Sequence, residues 1–209
     1  MALFDNKNKV SIESIGKQAF QDEKKLADLL DGVLSKQEDI RYKSFKTLLF
    51  ICGEKPDVLY PKWDFFSGLL ESDNPYHKQV GMYVIASLAG VDSQNKFERI
   101  SDKYFDLLNS PSVMNAGHAA LNAGKIAKAK PHLRGRVTDL LLNMDKTYPV
   151  KERVDLVIGY AIDAFDVYFE EAEDKDRIVE FVMRHVDSSS FSTKKKAVQF
   201  LKKWESHLR

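Results

Sequence analysis

The stretch LLESDNPYHKQVGMYVIASLAG, residues 69–90, contains the pattern that decides the fold. It begins with two leucines, passes through a short polar break that contains Pro75, and ends in a long apolar segment. Proline suits the first turn of a helix, where its missing N–H would have no partner. Four residues of the apolar segment are spaced i, i+3, i+4 and i+7 and therefore share one helix face: Val80, Tyr83, Val84 and Ser87. The stretch predicts a helix, a tight turn and a second helix.

The same arrangement recurs along the chain. Equivalent quartets begin at Phe45, Val80, Ala116, Val154 and Ala197, at successive intervals of 35, 36, 38 and 43 residues. A bulky apolar pair precedes each quartet, and the break between them contains a proline (Pro75, Pro111 and Pro149) or serines that suit a helix cap. Repeats of this length with two helices are typical of an α-solenoid, in which each hairpin buries its apolar face against its neighbours. The quartets are therefore predicted to lie in the core.

The segments LLESDNPYHKQVGMYVIASLA and LLNSPSVMNAGHAALNAGKIA resemble HEAT repeats, and more loosely armadillo-like folds. This resemblance implies an all-α fold of about five stacked helical hairpins that form a right-handed superhelix. We expect one repeat domain over residues 1–209, with an N-terminal segment or capping helix at 1–21. The repeats are expected at roughly 22–54, 61–90, 94–129, 131–169 and 173–207. A helical bundle without repeats is the alternative fold.

The composition and net charge argue against some classes of function. Of 209 residues 44% are hydrophobic, which suits a folded protein, and 32 Lys and Arg nearly balance 31 Asp and Glu. A net charge of +1 creates no global field toward nucleic acids or anionic membranes. The first residues lack a basic segment followed by an apolar run, so we expect a cytoplasmic protein without membrane contact. The single cysteine, Cys52, excludes an intrachain disulfide and is expected to be buried.

The second helix of each hairpin usually lines the concave side in proteins of the HEAT type. The resemblance therefore implies a ridge beside the core quartets that binds a protein or peptide partner, and the protein would be a non-catalytic scaffold or adaptor. A solvated helix face or a small-molecule pocket around His118 are the other interpretations. The predicted partner-binding residues are Met82, Asn115, His118, Asn122, Lys125, Arg153, Tyr160 and Asp163.

A basic segment suggests an alternative function. Residues 124–136, GKIAKAKPHLRGR, contain five cations and no acidic residue, and such a segment can bind phosphates. The alternative is therefore a nucleic-acid-binding HEAT-like protein that uses Lys125, Lys128, Lys130, Arg134 and Arg136. Lysines at 194–196 with Lys202 and Lys203 form a second basic area, which an ordinary charged surface explains equally well.

No motif in the sequence points to catalysis. We predict that the protein is not an enzyme and that it binds no metal and no cofactor. The five histidines have no metal-ligand spacing, and phosphate-loop, nucleophile-elbow and HExxH motifs are absent from the sequence. Deoxyhypusine hydroxylase, a HEAT-type enzyme, needs His-Glu pairs, and no histidine here precedes a glutamate. HEAT-like alkylpurine DNA glycosylases use tryptophans and an aspartate on a basic concave face. Here Trp204 belongs to a predicted core quartet and Trp63 opens a first helix, so neither is well placed for that role.

Overall fold

The computed structural model describes residues 11–207; residues 1–10 of the predicted N-terminal segment, like 208–209, lie outside that range. Within it the chain forms α-helices joined by short turns and 3-10 segments, without any strand. The prediction of an all-α fold is confirmed. The helices are α1 (Ile12–Ala19), α2 (Glu23–Gly32), α3 (Glu38–Glu54), α4 (Trp63–Leu69), α5 (Pro75–Leu88), α6 (Lys96–Asp106), α7 (Val113–Ala129), α8 (Arg134–Leu142), α9 (Met144–Thr147), α10 (Val154–Tyr168), α11 (Lys175–Met183) and α12 (Phe191–Lys203).

The helices belong to two compact units, the first ending at Phe97 and the second beginning at Glu98. In the first unit α1 packs on α2 and α3, α2 packs on α3, α4 packs on α5, and α3 also contacts α5. In the second unit α7 contacts α8 and α10, α10 contacts α12, and α11 contacts α8 and α12. That residues 1–209 form a single repeat domain stays a prediction.

Polar side chains cap the N-termini of several helices at the predicted breaks. The Asn74 side chain accepts a hydrogen bond from the Tyr76 N–H at 2.9 Å, directly before Pro75 at the first position of α5. Ser112 and Ser190 cap α7 and α12 in the same way. These side chains satisfy N–H groups that have no partner within their own helix. Each break therefore ends one helix and fixes the start of the next.

Most residues of the predicted quartets are buried. Ala116, Ala119, Ala120 and Ala123 are completely buried in α7, and Cys52 is buried as predicted. In α5, however, Tyr83 and Ser87 are only half-buried. The accessible stripe of this helix runs through Tyr76, Gln79, Tyr83 and Ser87, whose spacing of three, four and four residues follows one helix face.

Glycines permit a very close approach between α7 and α10 in the second unit. A methyl group at Gly124 would lie 2.5 Å from the Ala164 carbonyl oxygen, and one at Gly117 would lie 2.6 Å from the Tyr160 ring. Both distances are too short for a real contact, and the Ala164 backbone cannot rotate away as a side chain can. The two helix backbones are therefore in contact at Gly124, and the Tyr160 ring fills the space beside Gly117.

We expect Gly124→Ala to lower the free energy of unfolding by about 1–2 kcal/mol, because overpacking outweighs the better helix propensity of alanine. Gly135→Ala in α8 is the matched control, since nothing lies within 4 Å of a methyl group there. Urea denaturation followed by circular dichroism measures both changes. An unfolding midpoint for Gly124→Ala equal to or above that of Gly135→Ala would contradict the close contact.

Candidate functional site

Three predicted partner-binding residues meet in the second unit. The Tyr160 ring lies edge-on to the His118 ring, with 6.0 Å between the ring centres. The Lys196 ammonium lies 4.7 Å from the centre of the Tyr160 ring and 2.7 Å from an oxygen of Asp163. The side chains of His118, Tyr160, Asp163 and Lys196, here called the Tyr160 cluster, come from three helices: α7, α10 and α12. Sequence analysis found three of its members and missed Lys196 as a partner-binding candidate.

Burial makes His118 a weak base. Removal of the imidazole from water disfavours its charged form and lowers the pKa of His118 below its ordinary value of 6.5. A neutral ring at physiological pH can donate one hydrogen bond and accept another. The cluster thus combines a neutral imidazole, a phenol and a lysine–aspartate ion pair. It offers hydrogen bonds and aromatic contact to a partner.

The two asparagines of the predicted ridge are buried. Asn122 is completely buried and donates a hydrogen bond from its side chain to the His118 carbonyl oxygen at 2.9 Å. Asn115 is 8% exposed. The side-chain oxygens of both have no hydrogen-bond partner among residues 11–207. As the helices stand, neither side chain is accessible to a partner.

The remaining predicted ridge residues are scattered. Met82 lies in the first unit and is completely buried in α5, because the accessible stripe of that helix passes through Gln79 and Tyr83 instead. Lys125 is half-buried on α7, and Arg153 is exposed in the turn before α10. The structure thus brings His118, Tyr160 and Asp163 together and leaves Met82 in the core. A partner-binding role for any of these residues stays a prediction.

Most cations of the basic segment have partners within the protein. The Lys130 ammonium is buried and donates to both carboxylate oxygens of Glu98, at 2.9 and 3.2 Å. Arg136 pairs with Asp102 at 2.6 Å, and Lys128 lies 3.6 Å from Glu171. Arg134 donates to the backbone carbonyls of Ala127 and Glu171.

These partners reduce the positive potential that a phosphate would meet. Burial alone would raise the pKa of Glu98, but the hydrogen bond and charge of Lys130 and the contact with His132 hold it below its usual range. The carboxylate is therefore ionised and neutralises Lys130. Phosphate binding by this segment stays a prediction.

Sequence analysis missed a groove in the first unit. It lies between α3 and α5 and has a volume of about 120 Å³. Apolar surface dominates its lining, and the Arg41 guanidinium lies over the Tyr76 ring, 4.6 Å from the ring centre. Tyr42 and Tyr76 are 58% and 48% exposed. The lining residues are Glu38, Arg41, Tyr42, Phe45, Tyr76, Gln79 and Val80.

Packing and charge fix the walls of this α3–α5 groove. The Phe45 ring contacts the Tyr83 ring edge-on at 5.7 Å between centres, which holds α3 against α5. One Arg41 nitrogen donates to the Ser35 carbonyl at 3.1 Å. Burial lowers the pKa of His77 near the start of α5, and the positive charge of Arg41 adds to that effect. The aromatic spacing of Tyr42 and Phe45 was the only sequence signal for the groove.

No group of three or more metal-ligating side chains is present in the described part of the chain. No helix in residues 11–207 is long and apolar enough to span a bilayer.

Comparison with known proteins supports the fold. A designed armadillo repeat protein superposes with a TM-score of 0.50 at 14% identity, with 91% of this chain and 90% of that chain covered. The crystal structure of an engineered protein matches with a TM-score of 0.44 at 14% identity, over 93% of this chain and 89% of that chain. No protein-family model and no curated protein matches the sequence. The likeness to the designed armadillo protein shows the fold alone, an all-α solenoid of the armadillo type.

We expect Glu98→Gln to lower the free energy of unfolding by about 2–3 kcal/mol, because it removes the carboxylate charge that faces the buried Lys130 ammonium at 2.9 Å. Glu171→Gln is the matched control, since it removes the longer and more exposed contact with Lys128. We expect its effect to stay below about 0.5 kcal/mol. Urea denaturation of both variants measures these changes. Equal decreases in the free energy of unfolding would contradict a larger contribution from the Lys130–Glu98 pair.

The lowered pKa of His118 predicts acid sensitivity. The unfolded chain, with a histidine pKa near 6.5, binds more protons than the folded chain, so the stability contributed by neutral His118 decreases as the pH falls through 6.5. We expect the unfolding free energy of the wild type to decrease more steeply between about pH 7.5 and pH 5.5 than that of His118→Gln. His77 and His185, whose pKa values burial also lowers, contribute equally to both proteins. Parallel curves would contradict the prediction.

Proposed function

We propose that the protein is a non-catalytic scaffold that binds an extended peptide or protein segment through the exposed sides of its second helices. The armadillo-type fold supports a role in protein binding, because solenoids present long surfaces built from successive helices. The α3–α5 groove is the observation that carries the proposal. A cytoplasmic location stays a prediction.

The composition of the α3–α5 groove suits a peptide contact. Tyrosine and arginine are enriched among the residues that dominate binding energy at protein interfaces. Tyr42 and Tyr76 present large apolar surfaces with a hydroxyl at the rim. The groove volume of about 120 Å³ is close to the ~150 Å³ of a cavity that admits benzene, so one aliphatic or aromatic side chain fits.

The positive charge of Arg41 suggests which residue of the peptide lies next to that apolar side chain. Arg41 has five N–H donors, and among residues 11–207 no carboxylate pairs with it. The Tyr76 ring and the Ser35 carbonyl hold the guanidinium in place, and its other N–H donors are available for a planar anion. Both α3 and α5 begin beside the groove, which adds the positive ends of two helix dipoles. The proposed ligand is a peptide with a bulky apolar residue beside an aspartate or glutamate.

The Tyr160 cluster is the second proposed contact of the scaffold. Its lysine and aspartate already pair with each other at 2.7 Å, so a partner would first have to compete with that ion pair. His118 and Tyr160 remain the members able to contribute aromatic and hydrogen-bonding surface. We therefore expect this cluster to contribute less binding energy than the α3–α5 groove.

Peptide selection tests the proposal. A phage-displayed library of random peptides is panned against the full chain, and enriched sequences are synthesised and measured by fluorescence anisotropy. We expect enriched peptides to share a bulky apolar residue next to an acidic one. Tyr76→Ala and Arg41→Gln should each weaken binding by about tenfold or more, whereas Glu38→Gln should strengthen it because an acid leaves the groove.

The double variant His118→Ala with Tyr160→Ala tests the second proposed contact, because it removes aromatic surface in the other unit, and it should weaken binding less than Tyr76→Ala does. Circular dichroism verifies that every variant is folded. If only this double variant loses peptide binding, the Tyr160 cluster is the site and the groove is not. If no peptide is enriched, or none of these variants changes binding, the scaffold function is refuted. Binding of a labelled oligonucleotide that disappears between low and moderate salt would support the nucleic-acid alternative instead.

A further inference from the structure

The outer face of α12 has an arrangement that the proposed peptide sites do not use. On its inner side α12 packs against α10: the Thr193 hydroxyl donates to the Asp155 carbonyl at 2.5 Å, and Ala197 and Phe200 are buried. The Phe200 ring also contacts the Phe169 ring at 5.0 Å between centres. These contacts fix the orientation of α12, and with it the face that points the opposite way.

The opposite face presents apolar and basic side chains in alternation. Phe191 is 82% exposed and Val198 is 50% exposed, although both are large hydrophobic residues. Lys195 and Lys202 are exposed on the same face, because the positions 191, 195, 198 and 202 follow spacings of four, three and four. We call these four residues the α12 outer face. Phe191 and Val198 are about 10.5 Å apart along the helix axis.

The two lysines of the α12 outer face carry uncompensated charge. Neither Lys195 nor Lys202 has a carboxylate partner in the described part of the chain, in contrast to Lys194, which lies 3.1 Å from Asp187. Lys196 and Lys203, on another side of the helix, pair with Asp163 and Asp166 at 2.7 and 2.8 Å. The exposed apolar residues are therefore bordered by two cations that nothing in residues 11–207 neutralises.

We propose that the α12 outer face binds an acidic amphipathic helix of a partner protein. Within the second unit α10 has helices on two flanks, α7 and α12, so helix-on-helix packing already occurs on both sides of it. Phe191 and Val198 are exposed seven residues apart on one face of α12, a spacing at which apolar side chains contact a partner helix. Glutamates or aspartates at the borders of the incoming helix would pair with Lys195 and Lys202. This site is independent of the proposed peptide groove and takes a helix rather than an extended chain.

Two other occupants suit this face less well. A second copy that used the same face would place Lys195 and Lys202 against identical lysines, which is unfavourable. An anionic bilayer needs a broad apolar face that inserts about 5–10 Å, whereas here two apolar residues alternate with lysines. A single helix with an apolar stripe and acidic borders matches both the width and the charge of the face.

A library of displayed amphipathic helices, each with glutamate borders and a varied apolar stripe, tests the proposal against the full chain. Selected helices are synthesised, and their affinities are measured by fluorescence anisotropy. We expect Phe191→Ser to weaken binding by about tenfold or more, at no cost to folding because Phe191 is exposed. Lys195→Glu with Lys202→Glu should abolish binding of glutamate-bordered helices and create binding of the same helices with lysine borders.

Lys24→Glu with Lys36→Glu is the matched control, because it makes the same charge change at exposed positions of the first unit and should leave binding unchanged. Absence of any selected helix, unchanged binding by Phe191→Ser, or failure of the charge exchange would overturn the proposal. So would self-association that depends on Phe191 in sedimentation velocity, or binding to phosphatidylserine vesicles in place of the helices. Tyr76→Ala should not affect these helices, so failure here and failure of the peptide groove are distinguishable.

Discussion

The absence of side chains at three glycines is the constraint on which the packing of α7, α10 and α12 in the second unit depends. Gly117 and Gly124 bring α7 against α10, and Gly159 brings α10 against α12, where a methyl group would lie 2.7 Å from the Thr193 hydroxyl. Such contacts bury backbone and small side chains without leaving cavities. They also determine where larger side chains go: the Tyr160 ring lies over Gly117, and the Tyr160 cluster assembles around it. The candidate surface is thus a consequence of the packing beneath it.

Periodicity in the sequence predicts the helices and the breaks between them, because a helix face and a proline or serine cap each leave a local signal. It does not predict which flanks of a second helix are covered. A second helix has neighbours on several sides, so the accessible stripe can shift around the helix while the apolar quartet stays the same. In α7 and α10 the predicted offset reaches the half-buried His118 and Tyr160, whereas Asn115 and Asn122 of the same ridge are buried. In α5 the accessible stripe passes through Gln79 and Tyr83, and Met82 is buried.

Which cations are neutralised could not be predicted from local composition either, because the acidic partners of several cations lie about one repeat away in the sequence. Lys130 pairs with Glu98, 32 residues before it, and Arg136 with Asp102, 34 residues before it. Arg177 with Asp139 and Lys203 with Asp166 are separated by 38 and 37 residues. Two cations of a segment that looks uniformly basic in the sequence, Lys130 and Arg136, are thus neutralised by acids of the preceding hairpin. Stacked repeats place residue i beside a residue about one period away, and local charge counts do not capture this.

The same geometry explains why the α3–α5 groove differs from the surface of the second unit. Arg41 also has a neighbour one period away, but the residue 35 positions further along the chain is Tyr76 and not an acid. A ring beneath a guanidinium group restricts the conformational freedom of the arginine side chain without using the N–H groups of the guanidinium. Several cations of the second unit pair with acids of a neighbouring hairpin, whereas Arg41 in the first unit lies over a ring and uses one nitrogen for the Ser35 carbonyl, which leaves its other N–H donors available. That difference, and not the amount of charge, favours the groove as the binding surface.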